Sequence, residues 1–229
     1  MATAIGRKTR GEKGGASSWG RGRRADRALC LLSLVCLLTG LLLLASFAYG
    51  MADGVLSQRQ LTDGWRQQLA QAPPPAVPAE QPQPDLMQPV AGVDFAVRVP
   101  RLGYYAAVRE GVDSTILYSG PGHYPGTPWP GQPGMVAVAA HNVYWIDFPQ
   151  LTKGDEVDLE TRYGTFKYTV TGTRIVQPDD RTIVVQGPGR HLTLTTCWPT
   201  WAGAFATRRY VIFTDQTYPV PPKNQRPGS

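Results

Sequence analysis

Short runs of apolar and β-branched residues fill the second half of the chain. Residues 93–99 alternate apolar and polar side chains, which is the two-residue period of a half-buried strand. Glycine and proline separate the runs and indicate turns between strands. Further β-rich runs lie at residues 135–139, 156–159, 165–176, 182–185, 192–197 and 210–213. Because no amphipathic helical stretch of ten or more residues stands out here, the pattern predicts an all-β barrel or sandwich over residues 92–216.

A different pattern fills the first part of the chain. Residues 28–50 carry no charged side chain and are mainly apolar. A helix needs about 20 apolar residues to cross the hydrocarbon core of a membrane, so this stretch is long enough. A cleaved signal peptide has an apolar run of roughly 7–15 residues, and residues 45–48 offer only a weak cleavage site. We expect one retained transmembrane helix, with a cleaved signal as the alternative.

The basic residues are concentrated before this apolar stretch. Residues 1–27 hold eight basic and two acidic side chains, which accounts for the whole formal net charge of +6. The remaining residues are neutral in sum, so we expect no nucleic-acid partner. Basic side chains beside the N-terminal end of a transmembrane helix predict that this end is cytoplasmic and that the β-domain is extracellular.

Residues 51–64 start out polar and are expected to continue the helix briefly or to fray, whereas residues 65–89 are rich in Gln, Ala and Pro. Such a composition favours extended polyproline conformations, and we expect a semi-rigid stalk. The sequence therefore predicts five regions: a basic cytoplasmic tail (1–27), a transmembrane helix (28–50), a stalk (51–91), a β-domain (92–216) and a flexible C-terminal tail (217–229).

The three cysteines divide between these regions. Cys30 and Cys36 lie in the apolar stretch, whereas Cys197 is alone in the β-domain, where it has no partner for an internal disulfide. Cys197 ends a Leu-Thr-Leu-Thr-Thr run, and Pro199 stops regular strand pairing after it. Strand ends suit reactive groups, because the scaffold fixes them while substrate can still reach them. On these grounds alone, an inert buried thiol is equally open.

A reactive thiol needs a base, because an ordinary thiol has a pKa of about 8.5 and is mostly protonated at neutral pH. The chain has three histidines: His123 in a Gly/Pro loop, His141 directly after an apolar run, and His191 at the start of the cysteine run. Arg208 and Arg209 begin the last apolar run and offer donors to a carbonyl or an oxyanion. Side chains alternate along a strand, so only one of these two arginines can face the site.

The order of His141, the Thr-Leu-Thr-Thr-Cys197 run and the Arg-Tyr-Val-Ile run resembles the sortase family. The hallmark of that family is a TLxTC strand with an upstream histidine and a downstream arginine. The Gly-His123-Tyr-Pro-Gly-Thr loop is also similar to the segment before the family's catalytic histidine. Two departures are Ala140, where many members have glycine, and the Trp198-Pro199 pair after the cysteine. The anchor and the absence of a second, C-terminal apolar segment resemble housekeeping-type members of classes D and E.

This resemblance implies a closed eight-stranded β-barrel preceded by one transmembrane helix. It implies that Cys197 is the nucleophile, that His141 gives and takes the proton, and that Arg209 binds the substrate backbone or the oxyanion, with Arg208 as the alternative. Four further residues are candidates for substrate contacts, although packing or loop stabilisation would equally explain them: His123, Thr195, Thr196 and Trp198.

The implied reaction is transpeptidation at a C-terminal, LPxTG-like sorting motif of exported proteins. A thioester intermediate would pass the protein to an amine of a peptidoglycan precursor, so no metal or other cofactor is expected. Ca²⁺ assists some relatives; Asp155, Glu156, Asp158 and Glu160 lie close together in the sequence, but this pattern is equally typical of a solvated strand. Two alternatives remain, namely a hydrolytic cysteine peptidase on the same site and a non-enzymatic, stalked β-domain that binds a surface partner.

Overall fold

The computed structural model describes residues 19–78, 83–184 and 186–221. These residues form two compact units, one ending at Met51 and the other beginning at Ala52. Two parts of the predicted regions lie outside the described residues. They are residues 1–18 of the basic tail and residues 222–229 of the C-terminal tail.

Helix α1 runs from Trp19 to Gln71 and supplies the described part of the first unit. Between Leu29 and Tyr49 its large apolar side chains are exposed. A segment of this helix is long and apolar enough to cross a membrane by length and composition. The exposed aliphatic surface fits lipid better than water, in agreement with the transmembrane helix predicted from residues 28–50.

The C-terminal part of α1 belongs to the second unit and packs against its β-sheet. Leu61, Trp65 and Leu69 recur every four residues and therefore share one helix face. Trp65 is only 2% exposed. The helix face packs against four residues near the start of the sheet: Val93, Ala96, Tyr105 and Ala107.

Two polar residues of the same helix segment satisfy the backbone of the sheet. Gln58 Nε2 donates to the carbonyl oxygen of Ala107 (3.0 Å), and the Ala107 amide donates to Thr62 Oγ1 (3.1 Å). An exposed strand edge leaves such groups without partners. The helix therefore covers an edge of the sheet with both apolar and hydrogen-bonding contacts.

The structure differs from the predicted stalk at residues 65–71, which were expected to be extended, whereas a short continuation of the helix beyond residue 50 was expected. Residues 52–71 are helical, because Leu61, Trp65 and Leu69 give the helix an apolar face to bury. Residues 72–78, the described proline-rich residues that follow, have no regular structure, but Tyr218 Oη donates to the Ala76 carbonyl (3.2 Å). A short 3₁₀ helix, Pro84–Met87, precedes the first strand.

Eight strands close into a barrel, as the resemblance implied. Around the barrel the order is β1-β2-β3-β4-β7-β8-β6-β5. Two neighbouring pairs, β2–β3 and β4–β7, are parallel, and the others are antiparallel. The strands are β1 (Phe95–Val99), β2 (Tyr104–Glu110), β3 (Gly122–His123), β4 (Gly134–Ala140), β5 (Glu156–Thr161), β6 (Gly164–Val176), β7 (Arg190–Trp198) and β8 (Arg208–Tyr218).

One predicted strand was wrong. The run 182–185 was expected to be extended, but residues Arg181–Val184 form a 3₁₀ helix. Asp180 Oδ1 accepts hydrogen bonds from the amide (2.8 Å) and the hydroxyl (2.6 Å) of Thr182. Such local side-chain bonds compete with a strand ladder and favour a turn, in spite of the β-branched residues.

The barrel interior holds the main hydrophobic core. Along β6, buried and half-buried positions alternate from Gly164 to Val170, as a strand with one inward face requires. The largest fully buried side chains in this core are Phe95, Trp145, Phe148, Leu151, Leu159, Tyr163, Phe166, Tyr168, Leu192, Leu194 and Ile212. Because the interior is filled, a reaction site must form at an end of the barrel.

Candidate active site

The parallel pairing of β4 and β7 brings the ends of two strands together. Ala140 is the register partner of Thr196, and the hydroxyl of Thr196 donates to the Ala140 carbonyl (2.9 Å). His141 directly follows Ala140 at the end of β4, and Cys197 directly follows Thr196 in β7. Both side chains therefore arise at the same level of the barrel, and both line one cavity.

Strand β8 contributes an arginine from the other side of β7. Cys197 is the register partner of Arg209, and Arg209 Nη1 lies 3.1 Å from Cys197 Sγ. Arg208 is paired with Trp198 and is exposed to solvent. The alternation along β8 thus turns the guanidinium of Arg209, and not that of Arg208, towards the thiol.

The cavity at this end of the barrel has a volume of about 120 Å³. Tyr124 Oη lies 3.2 Å from Thr195 Oγ1 across it, within hydrogen-bonding distance. Its lining combines an apolar wall with the thiol, the imidazole and the guanidinium: Val112, Leu117, Tyr124, Ala139, Ala140, His141, Thr195, Thr196, Cys197 and Arg209.

A larger cavity, of about 490 Å³, lies between the C-terminal part of α1 and the start of the sheet. Trp65, Val93 and Arg109 are among its lining residues, and no cysteine or histidine lines it. Its size alone does not make it a reaction site, because it offers neither a thiol nor an imidazole. The smaller cavity is lined by a thiol, an imidazole and a guanidinium.

The electrostatics of the smaller cavity favour a neutral imidazole. Burial lowers the pKa of His141, and the positive charge of Arg209 lowers it further. A neutral imidazole can accept a proton from a thiol, and the nearby guanidinium can stabilise the thiolate that remains. The three groups together can generate a nucleophile and stabilise a negatively charged oxygen.

The four candidate substrate-contact residues have different positions. Thr195 and Thr196 are buried and line the cavity. Trp198 is half-buried; its ring stacks obliquely on Tyr210, with ring centroids 5.3 Å apart, and it does not line the cavity. His123 is 1% exposed and also lies outside the cavity lining.

The acidic residues considered for Ca²⁺ all contact protein donors. They extend along β5 and the turn before it instead of converging on one point. The pairs are Asp155 with Arg101 (2.6 Å), Glu156 with Lys167 (2.9 Å), Asp158 with Arg98 (3.8 Å) and Glu160 with the hydroxyl of Tyr105 (2.8 Å).

Several residues of the cavity wall were not predicted from the sequence. Val112 and Leu117 come from the segment around a short helix, α2 (Ser114–Tyr118), and Tyr124 follows β3. The start of α2 has a local signal, since Asp113 accepts hydrogen bonds from the two amides that a helix N-cap serves. The contribution of this segment to the cavity depends on the closure of the barrel and has no local signal.

Comparisons with known proteins identify relatives of this chain. The family model described as "Sortase domain" matches residues 97–217. The chain is 32% identical to sortase D of Bacillus subtilis (strain 168) over 119 residues, which cover 51% of this chain and 60% of the relative.

Solved structures show the same fold. A sortase D5 transpeptidase from Clostridium perfringens superimposes with a TM-score of 0.56 at 17% identity, covering 70% of this chain and 98% of that one. A variant of sortase E from Streptomyces avermitilis superimposes with a TM-score of 0.50 at 29% identity, covering 61% and 100%, respectively. Because the family model spans more than half of its residues, the chain belongs to the sortase family.

Proposed function

We propose that this chain is a membrane-anchored cysteine transpeptidase that cleaves an LPxTG-like sorting motif near the C-terminus of exported proteins. The product would be joined to a cell-wall amine through a thioester on Cys197. The observation that carries the proposal is the 3.1 Å contact between Arg209 Nη1 and Cys197 Sγ beside His141 in one cavity.

The first half of the reaction forms the thioester. His141 accepts the proton of Cys197, and the thiolate attacks the scissile carbonyl carbon of the motif. The carbonyl oxygen becomes an oxyanion, which the guanidinium of Arg209 stabilises. As the carbon–nitrogen bond breaks, His141 gives its proton to the leaving amine, and the acyl group remains on sulfur.

The second half reverses these roles. An incoming amine, which we propose belongs to a peptidoglycan precursor, loses a proton to His141 and attacks the thioester carbonyl. Cys197 leaves as a thiolate and takes the proton back from His141. One peptide bond breaks and one forms, so the exchange needs no nucleotide and no metal.

The cavity wall suggests how the motif binds. Val112, Leu117 and Tyr124 give the space beside Cys197 an apolar side, which suits an apolar side chain of the motif. The basic tail before the apolar part of α1 supports a cytoplasmic N-terminus, and the sortase domain would then lie outside the cell with the exported substrates.

Intact-mass spectrometry of the full-length chain in detergent micelles tests the proposal. The chain is mixed with a library of short sorting peptides, with and without an amine acceptor. We expect an acyl adduct on Cys197 that an amine resolves into a peptide–amine product. Cys30 and Cys36 are internal control thiols that should stay unmodified, and Cys197→Ala should give no adduct.

The other outcomes contradict the proposal in different ways. Release of free acid at the same rate with and without amine would indicate a hydrolytic peptidase. If no peptide gives an adduct and a thiol probe labels Cys197 no faster than an ordinary buried thiol, the chain is a binding module and the transpeptidase assignment is wrong.

A further inference from the structure

A cluster of one imidazole and two carboxylates lies apart from the cavity that holds Cys197. His123 Nδ1 is 3.1 Å from Asp94 Oδ2 and 3.3 Å from Glu110 Oε2. Three segments build it: Asp94 immediately precedes β1, Glu110 ends β2, and His123 is the register partner of Glu110 in β3. One ligand atom from each residue lies within 4.8 Å of the other two.

These separations match the coordination sphere of a small divalent cation. In a tetrahedral site with bonds of about 2.0–2.2 Å, neighbouring ligand atoms are roughly 3.3–3.6 Å apart. The 3.1 and 3.3 Å contacts of His123 Nδ1 are close to that edge length. Two of the three separations are therefore already near that edge length, and the third, between the two carboxylates, is within 4.8 Å.

The second ring nitrogen of His123, Nε2, has hydrogen-bond partners that suit a metal-bound histidine. Nε2 lies 3.2 Å from the Pro128 carbonyl, which can only accept, and 2.9 Å from Thr127 Oγ1. The Thr127 hydroxyl donates its own proton to the Tyr124 carbonyl (2.8 Å), so Nε2 must supply the hydrogen. Metal-bound histidines commonly donate their second N–H to a carbonyl in this way, which leaves Nδ1 free to coordinate.

One buried carboxylate oxygen of the cluster has no hydrogen-bond partner among the described residues. Asp94 is 1% exposed, and no donor in the described part of the chain reaches its Oδ1 atom. A buried carboxylate without a full set of partners is costly, and a bound cation would offset that cost.

We propose that Asp94, Glu110 and His123 form a binding site for a divalent transition-metal ion of the Zn²⁺ type. The imidazole nitrogen favours such an ion over Ca²⁺, which prefers six to eight oxygen ligands. The side chain of Glu110 is 44% exposed, so this side gives the ion a route in and leaves a position for water. Asp94 and His123 close the opposite side.

The site would act on the fold more than on the chemistry. It ties the start of β1, the end of β2 and β3 together, and β3 makes only a two-residue ladder with each neighbour. Tyr124, the residue after His123, lines the Cys197 cavity and contacts Thr195. A bound ion therefore stabilises the strand that carries one wall of that cavity.

Calorimetric Zn²⁺ titration of the full-length chain in detergent tests the site. The background is Cys30→Ser, Cys36→Ser and Cys197→Ala, which removes every thiol, and the protein is stripped with a chelator and carries no affinity tag. We expect one equivalent to bind. At a hundredfold excess over the dissociation constant, the unfolding midpoint should rise by roughly 5–10 °C.

Two variants in this background separate the proposed site from other surface ligands. Glu110→Gln, at the exposed side, should weaken Zn²⁺ binding at least tenfold without unfolding the chain. His191→Gln is the matched control, because His191 also contacts a carboxylate, Asp215 (2.7 Å), and a proline carbonyl, but no second carboxylate. We expect it to bind like the background.

Co²⁺ provides a spectroscopic check. A Co²⁺ ion held by one nitrogen and carboxylate oxygens gives visible d–d absorption without a sulfur charge-transfer band, and Glu110→Gln should lose this signal. The proposal is wrong if the background binds no Zn²⁺, or if Glu110→Gln binds as tightly as His191→Gln. Because every variant lacks Cys197, the result does not depend on the transpeptidase proposal.

Discussion

Replacing Arg209 by alanine is the sharpest test of how the cavity works. Its Nη1 atom lies 3.1 Å from Cys197 Sγ, whereas the adjacent Arg208 is exposed and pairs with Trp198 across the ladder. The two residues are neighbours in the chain and carry the same charge. Arg208→Ala is therefore a matched control for the loss of one positive charge near the site.

The separation of charges sets the expected size of the effect. At 3.1 Å and an effective dielectric constant of about 20, a thiolate and a guanidinium attract by about 5 kcal/mol. Arg209 is only half-buried, and solvent screening should leave roughly half of this, about 2.7 kcal/mol. That corresponds to a fall of about 100-fold in kcat/KM, within the range for removing one oxyanion donor.

The assay is steady-state cleavage of a sorting peptide that the intact-mass screen identifies. We expect Arg209→Ala to lose about 100-fold in kcat/KM, and Arg209→Lys to lose about tenfold because lysine keeps the charge but not the planar fork. Arg208→Ala should stay within about twofold of the parent. Equal losses for the two alanine variants would refute the argument, since they would indicate a general charge effect.

A second measurement reports directly on the same charge. Arg209 is one of two causes that lower the pKa of His141, and burial is the larger one. Arg209→Ala should therefore raise the pKa of His141 but leave it below that of an ordinary histidine. NMR titration of the imidazole measures this shift, and an unchanged pKa would show that the guanidinium does not act on His141.

Two further predictions concern the stability of residues 52–229. Trp65→Ala should lower the free energy of unfolding by about 3 kcal/mol in urea titrations. This is near the low end for a buried tryptophan, because the indole N–H has no described partner. Trp201→Ala, at a position 79% exposed, should change the free energy of unfolding by less than about 0.5 kcal/mol. The hydrogen bond to Asp215 raises the pKa of His191. This pair therefore stabilises the fold fully below the pKa of an unfolded histidine, about 6.5. Its contribution to stability is lost as the pH rises through the raised pKa of the folded state. His191→Gln should remove this part of the pH dependence, and a stability profile identical to that of the parent would contradict the assignment.

The sequence predicted the strands that end near His141 and Cys197, but not every element around the cavity. The β-branched run before Cys197 and the apolar run before His141 have strong local signals, and both form strands where they were expected. Strand β3 has only two residues, Gly122–His123, which are too few to show any period. It exists because its neighbours in the barrel pair with it.

Two other features of the structure were not predicted from the sequence. The spacing of Leu61, Trp65 and Leu69 was visible in the sequence, but the proline-rich residues after it favoured a stalk. His123 stood in a Gly/Pro loop, which indicated a loop-stabilising residue, with a contact at the groove as the alternative. Its carboxylate neighbours are 29 and 13 positions away in the chain, so only the closed barrel reveals that they meet.

The pairing of β4 with β7 explains why the site depends on the whole barrel. Parallel strands need a crossover connection, and here β5 and β6 supply it before the chain returns to the same sheet. A slip of one residue in this ladder would turn Cys197 to the opposite face and move Thr196 or Trp198 to the level of His141. The buried hydrogen bond from Thr196 to the Ala140 carbonyl opposes such a slip, and it lies directly before Cys197 and His141. The threonine before the cysteine therefore has a structural role, because its hydrogen bond supports the register that brings thiol and imidazole to one cavity.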